Sequence, residues 1–230
     1  MRKDIAVIIP AYNEEKSIAK VISELPLQYI IEVIVVDNNS TDNTAINAKN
    51  AGATVLFQPK QGYGNACLLG IHYILSLEEP PYIVVFIDGD YSDYPDQLPR
   101  LVTPIYTENY DMVIGSRMIG HVEKGALTIQ QRVGNKIASF LLKHLYKVSY
   151  TDLGPFRAIK YQSLLDIKMA DKTYGWTVEM QIKAAKLKMK TCEVAVDYKK
   201  RIGFSKISGT VKGTVLAGVK IIYTMFKYYR

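Results

Sequence analysis

Through the first half of the chain, short runs of apolar residues alternate with stretches whose apolar positions recur every three or four residues. Residues 5–9, 32–36, 54–57, 82–87 and 112–115 are brief, rich in Val and Ile, and almost uninterrupted by polar side chains. That is the pattern of strands buried on both faces. Helical periodicity fills the gaps at about residues 16–25, 43–51, 63–76 and 96–108. Strand and helix alternating at this spacing predict an α/β fold, a mostly parallel central sheet flanked by helices with right-handed crossovers. Two further amphipathic helices are expected, one at about residues 131–145 and one from Val211 to the C-terminus. No internal repeat and no Pro/Gly/Ser-rich linker divides the chain, so the expectation is one domain, residues 1–206, with a helical extension, residues 207–230.

In sheets of this kind ligands bind at the carboxyl ends of the strands. Polar or glycine-rich sequence follows four successive strands: Pro10-Ala11-Tyr12-Asn13-Glu14-Glu15, Asp37-Asn38-Asn39-Ser40-Thr41-Asp42, Lys60-Gln61-Gly62-Tyr63-Gly64-Asn65-Ala66 and Asp88-Gly89-Asp90. Two carboxylates one residue apart on a tight turn, Asp88 and Asp90, can face one hard cation, Mg²⁺ or Mn²⁺, held together with the oxygens of a diphosphate. Gly89 between them allows close backbone approach. The bland alternative is a solvated Asp-Gly turn. Asp37 is placed to accept hydrogen bonds from the base or ribose of a nucleotide, with Tyr12 and Asn13 beside it, although Asn13-Glu14-Glu15 also suits a helix start and Ser40 or Asp42 a helix cap. Gly62-x-Gly64 is neither a P-loop nor a full dinucleotide fingerprint; Lys60 adds a diphosphate contact there, and a plain glycine turn into a helix is the competing reading.

Composition changes this picture in one respect. The 230 residues hold 29 Lys+Arg and 22 Asp+Glu, a formal charge of +7, yet residues 1–180 carry 17 basic and 20 acidic groups while the last 50 carry 12 and 2. The excess is therefore local. It sits among long apolar stretches rather than on an RNA-reading motif, which argues against a nucleic-acid partner. Two cysteines, Cys67 and Cys192, are too few for a disulfide framework or a structural zinc site and point to a reducing compartment. The short apolar run after Met1 is too brief for a signal h-region, and Lys212, Lys220 and Lys227 interrupt the most apolar C-terminal stretch, so no transmembrane span is expected.

Taken in order, the segments at residues 7–14, 35–42, 60–66 and 88–90, with Gly115-Ser116-Arg117, resemble the family 2 glycosyltransferases of the GT-A (Rossmann-like) fold. Within that family they are most similar to dolichyl-phosphate mannose synthases and polyprenyl-phosphate glucosyltransferases, over about residues 5–210. The resemblance implies that Pro10, Tyr12, Glu14 and Asp37 line the nucleoside site and that Asp88 and Asp90 bind the metal and donor diphosphate; Lys60, Gly64 and Gly89 are further candidates for the nucleotide site. It departs from the family at Asn38, where a second Asp is common, and at Ser92, where the mannose synthases tend to have a Gln; Ser92, Asp93 or water then completes the metal's ligands.

On the acceptor side, Arg117 follows the fifth strand, and Arg132 and Asn135, three apart, share one helical face. The resemblance assigns Arg132 and Asn135 to a lipid phosphate, with solvated helix surface as the alternative. Thr151-Asp152-Leu153-Gly154-Pro155-Phe156-Arg157 is similar to an Asp-x-x-x-Gly-Phe-Arg segment of the family, which makes Asp152 an orienting group for sugar or acceptor, or a turn cap. Trp176 and Glu179 share a face and point into the cleft or serve as core anchor and helix N-terminal charge. Arg201-Ile202-Gly203-Phe204-Ser205-Lys206 is similar to the family's Arg-x-Gly-x-Ser-Lys lid over the donor diphosphate, giving Arg201, Ser205 and Lys206 as phosphate ligands.

The function implied is metal-dependent, inverting transfer of a sugar from a UDP- or GDP-sugar to a polyprenyl or dolichyl phosphate, by an enzyme peripheral on the cytosolic face of a membrane and able to self-associate. An anionic acceptor needs no base; a hydroxyl of a glycan or glycolipid would need one, and Asp152 and Glu179 are the candidates. A non-catalytic nucleotide-binding subunit is the alternative from another class. In the last helix Lys212, Lys220, Lys227 and Arg230 share one arc, opposite Val215, Val219, Ile222, Met225 and Phe226. That amphipathicity fits a membrane interface, a membrane-embedded partner subunit, or packing on the chain's own domain.

Overall fold

Four of the five apolar runs are buried on both faces of one seven-stranded sheet, whereas residues 54–57, expected to be buried in the same way, form an edge strand whose side chains are only partly buried, with Phe57 60% exposed. The computed structural model describes residues 2–203 and 211–229. Its strands are β1 (Ile5–Ala11), β2 (Ile30–Asp37), β3 (Thr54–Phe57), β4 (Ile83–Phe86), β5 (Met112–Ser116), β6 (Arg157–Lys160) and β7 (Thr191–Ala195), in the order β3-β2-β1-β4-β6-β5-β7. β1 runs parallel to β2 and β4, β2 to β3, and β5 to β7. β6 is antiparallel to both of its neighbours, β4 and β5.

The helices are α1 (Ile18–Ser23), α2 (Thr44–Asn50), α3 (Tyr63–Ile74), α4 (Leu98–Glu108), α5 (Ile129–Tyr146), α6 (Tyr161–Ile167), α7 (Trp176–Lys186) and α8 (Val211–Lys227). Alternation along β1 divides the core into two layers. Ile5, Val7 and Ile9 join Ile18 and Val21 of α1 and Leu101 and Ile105 of α4, whereas Ala6 and Ile8 join Cys67 of α3, Leu142 of α5 and Trp176 of α7. Trp176 is fully buried and meets Phe86 edge to face at 5.8 Å, so the sole tryptophan is a core anchor.

Several boundaries differ from the sequence expectation for local reasons. α1 begins at Ile18, later than residue 16, because Asn13 takes a left-handed φ of 54° and the Ser17 and Ile18 N–H groups first close a turn on the Glu14 carbonyl. α5 starts at Ile129, ahead of residue 131, because Thr128 and Gln131 form a reciprocal capping box. β6 and β7 were not anticipated. β6 has two apolar residues between Arg157 and Lys160, and β7 is a sheet edge with only partly buried side chains, so neither carries the long apolar run of a central strand.

α8 packs on its own domain. Tyr146 donates its hydroxyl proton to the Met225 carbonyl, Tyr228 donates to the Glu179 carboxylate at 2.7 Å, and Lys220 pairs with Asp171 at 2.9 Å. One lysine of the basic arc, Lys220, is therefore tied to the chain's own domain. Among the described residues no helix is long and apolar enough to cross a membrane.

Candidate active site

Four successive strand ends meet at one cavity of about 330 Å³. Pro10, Ala11, Tyr12 and Glu14 come from the end of β1, Asn38 from the end of β2, Gln61, Gly62 and Tyr63 from the β3–α3 loop, and Asp88, Gly89 and Asp90 from the end of β4. Tyr174, just ahead of α7, and Arg201 close it. Parallel pairing of β3, β2, β1 and β4 is what brings these loops to the same edge.

The loops are braced against one another. Asn13 N–H donates to Ser40 Oγ at 2.9 Å, Thr41 N–H donates to Asn13 Oδ1 at 2.8 Å, and Glu14 N–H donates to Thr44 Oγ1 at 2.7 Å. Ser40 is thus a tie between loops, while Asp42, one residue ahead of the α2 N-cap Asn43, accepts from the Thr44 N–H at 3.0 Å. The Asn38 side chain spans the β3–α3 loop: its amide donates to the Gln58 and Lys60 carbonyls at 3.1 and 2.8 Å, and its Oδ1 accepts from Gly62 N–H at 2.7 Å. An Asp carboxylate could make neither donation, so the departure from the family pattern has a structural role. Asp37 lies buried behind the lining, its Oδ1 accepting from Ser40 N–H at 3.1 Å.

Gly62 has φ +143°, and a Cβ there would meet the Lys172 carbonyl oxygen at 2.3 Å; a Cβ on Gly64 would stand 2.0 Å from that of Asp171. Gly64 serves close packing on residues 171 and 172 and does not line the cavity. Gly64→Ala is therefore expected to cost about 1–3 kcal/mol by overpacking and to raise the donor KM, read from urea unfolding and initial rates. Lys60 is exposed and outside the lining.

Charge is concentrated at the floor. Asp88 is buried with Oδ1 lacking a hydrogen-bond partner among the described residues; burial and the neighbouring Asp90 push its carboxyl up to about 7. Asp90 Oδ1 accepts from both the Ser92 N–H and hydroxyl, so Ser92 orients Asp90 and its hydroxyl is already committed. Both oxygens of Asp93 are buried without partners among the described residues, and burial followed by the charge of Asp88 raises its carboxyl as well. Arg201 reaches two carboxylates, Glu14 Oε1 at 2.6 Å and Asp90 Oδ2 at 3.1 Å. It is the one cation of the lining among the described residues. An unpartnered buried carboxylate oxygen beside a second carboxylate, all oxygen donors, fits Mg²⁺ or Mn²⁺.

Other residues singled out from sequence are placed elsewhere. Arg117 grips Asp152 through Nε–Oδ2 and Nη2–Oδ1, each at 2.8 Å, with its own backbone N–H also on Oδ2 at 2.9 Å and its guanidinium over the Tyr198 ring. Burial raises the Asp152 pKa, but the charge and hydrogen bonds of Arg117 outweigh it and hold the carboxyl below its usual range. A carboxylate so engaged is a poor proton acceptor. Glu179 is fully buried, pairs with Lys183 at 2.7 Å, and takes the N–H groups of Ala170 and Asp171 along with the Tyr228 hydroxyl. It anchors the loop before α7 and the end of α8. Asn135 is buried and bonds Thr151 and Leu153, bracing the loop that carries Asp152, while Arg132 is exposed on α5. Ser205 and Lys206 lie outside the described residues.

Sequence reasoning missed Tyr63, Gln61, Asn38 and Tyr174 in the lining. The first two stand inside the glycine-rich segment already singled out, and Tyr174 immediately precedes Gly175-Trp176.

Comparison with known proteins follows the same outline. Residues 6–167 match the model of the glycosyl transferase family 2. The chain is 34% identical over 214 residues to an uncharacterized glycosyltransferase of Mycobacterium bovis, covering 93% of this chain and 94% of that one. It is 32% identical over 222 residues to a dolichyl-phosphate hexose transferase of Haloferax volcanii, covering 93% and 90%. The crystal structure of glucosyl-3-phosphoglycerate synthase from Mycobacterium tuberculosis in complex with Mg²⁺ and uridine-diphosphate superposes with a TM-score of 0.78 at 25% identity, over 98% of this chain and 79% of that one.

Proposed function

The chain belongs to glycosyl transferase family 2, and from that premise we propose that it moves a hexose from a nucleotide sugar to a polyprenyl or dolichyl phosphate at the cytosolic face of a membrane. One observation carries the choice of acceptor: the two carboxylates singled out from sequence as candidate bases, Asp152 and Glu179, are locked in buried ion pairs. A phosphate acceptor is already anionic at neutral pH and needs none. The Haloferax relative, named for a dolichyl-phosphate substrate, supports the same reading.

Tyr12, Gln61 and the backbone of residues 10–11 form the wall for the nucleoside, with Asp37 behind it. Asp88 and Asp90 would hold a divalent cation, Mg²⁺ or Mn²⁺, which supplies neutralisation of the departing diphosphate. Arg201 adds a second positive group, and its buried Nε carries a proton with no hydrogen-bond partner among the described residues. The acceptor oxygen attacks the anomeric carbon as the bond to the diphosphate breaks, inverting configuration. Arg201→Gln is expected to lower kcat by about 10²–10³, the usual effect of deleting one charge-stabilising donor at a reacting phosphate. Single-turnover rates at saturating donor measure it.

A hydroxyl acceptor is the second reading, favoured by the structural likeness to the phosphoglycerate-glucosylating synthase. Offering labelled donor to polyprenyl phosphate and to 3-phosphoglycerate in parallel separates the two. Label only in the second product would sink the lipid-phosphate reading.

A further inference from the structure

Eleven of the eighteen large apolar side chains exposed among the described residues lie on α5 or on α8 with the residues just after it. On α5, Ile129, Val133, Ile137 and Phe140 are 77, 50, 49 and 59% exposed, and their spacing of four, four and three draws one stripe. Arg132, Lys136, Lys143 and Lys147 are exposed along the neighbouring stripe. On α8, Val215, Val219, Ile222 and Phe226 form a stripe in the same manner, continued by Tyr229. The two helices touch, with Tyr146 hydrogen-bonded to Met225 and its ring edge-on to Tyr229 at 6.3 Å. Neither helix contains a single acidic residue.

We infer that α5 and α8 together form the surface on which the protein binds an anionic lipid bilayer. Apolar stripes flanked by lysines, with no carboxylate to repel phosphate headgroups, match a helix pair lying in the membrane interface, its aliphatic and aromatic side chains in the acyl boundary and its cations at the headgroups. A protein partner fits less well, since protein interfaces are depleted of lysine. Lys220 is committed to Asp171, so the cations facing lipid are those of α5 together with Lys227 of α8. This gives α5 a weight that its capping and periodicity alone do not show. The inference deepens the lipid-phosphate reading by naming the surface that brings enzyme and acceptor together, and its test does not depend on transfer.

Flotation of the full chain with vesicles of phosphatidylcholine, or of phosphatidylcholine with about one third phosphatidylglycerol, gives the partition coefficient. The full chain is expected to float with the anionic vesicles and to be released as NaCl rises from 0.1 to 0.5 M. The pair Lys136→Glu/Lys143→Glu, which reverses two headgroup-facing charges, and the pair Val133→Glu/Phe140→Glu, which puts two carboxylates into the apolar stripe, should each weaken partitioning by at least about tenfold. Thermal midpoints and UDP affinity in Mn²⁺, which exposed α5 residues do not touch, should stay at wild-type values. No flotation, equal flotation of the α5 variants, or a dimer in solution that Phe140→Glu dissociates would overturn the inference. If vesicles are not bound while detergent-dispersed polyprenyl phosphate is still glycosylated, the surface is wrong and the function stands; the reverse pairing of results says the opposite.

Discussion

Replacing Asp88 and Asp90 together by alanine is expected to abolish sugar transfer, by at least about a thousandfold, while the fold survives. A divalent cation contributes several kcal/mol of charge stabilisation to a departing diphosphate, and about 4 kcal/mol is three orders of magnitude in rate. Both carboxylates stand at the cavity floor after β4, one with a buried oxygen, Asp88 Oδ1, that has no hydrogen-bond partner among the described residues. An orphaned acceptor of that kind is a stability cost kept for function. Its pH signature has a definite sign. The Asp88 carboxyl is raised from 3.8 to about 7, first by burial and then by Asp90, so the folded chain holds a proton there that the unfolded chain has released. Stability of the metal-free protein should therefore fall as pH rises from about 4 to 7. Asp88→Ala should flatten that slope while it removes activity. Circular dichroism melts at pH 5 and 7.5, run beside the rate assay, read both; wild-type turnover in the double variant would contradict the metal assignment.

Asp152→Ala should behave in the opposite way, through stability. The Arg117–Asp152 pair makes three short hydrogen bonds, and the Arg117 and Asp152 side chains are 13 and 0% exposed. Removing one partner strands a buried guanidinium, at a cost of about 3–5 kcal/mol. Replacing both, Arg117→Met with Asp152→Leu, should recover most of that loss. The folded-state carboxyl lies below its usual range despite its burial, because Arg117 dominates, so the pair's contribution is complete at neutral pH and disappears only as pH falls below about 4. Urea unfolding at pH 7 and pH 5 should give the same deficit for Asp152→Ala. Near-normal stability with a collapsed kcat would instead make Asp152 a base and restore the hydroxyl-acceptor reading.

The residues around the cavity show where sequence suffices and where it does not. β1, β2, β4 and β5 are legible because a strand buried on both faces needs apolar residues throughout, and the polar segments following β1 to β4 are legible because parallel pairing places them together. β6 escapes because it is short and bounded by Arg157 and Lys160; Arg157 is fully buried and spends its guanidinium on the Gly154 and Thr177 carbonyls, a use no periodicity reveals. Arg117, Asp152, Glu179 and Asn135 carry the chemical types of an acceptor site, yet the fold turns each toward another part of the chain. Which partner a charged side chain meets depends on contacts dozens of residues away, such as the 49 between Tyr228 and Glu179. Tyr174 enters the cavity for the same reason, from a loop whose position is set by Glu179 and by the close approach of Gly64.

Metal-dependent transfer from a nucleotide sugar to a lipid phosphate is tested most directly by extraction of radiolabel into an organic phase. The full chain is incubated with labelled UDP- or GDP-hexoses, polyprenyl phosphate, and Mn²⁺, Mg²⁺ or EDTA. The expected result is label in the lipid phase with one donor class, dependent on the cation, and absent for Asp88→Ala/Asp90→Ala. Label in the lipid phase in EDTA, or label found only on soluble hydroxyl acceptors, would contradict it.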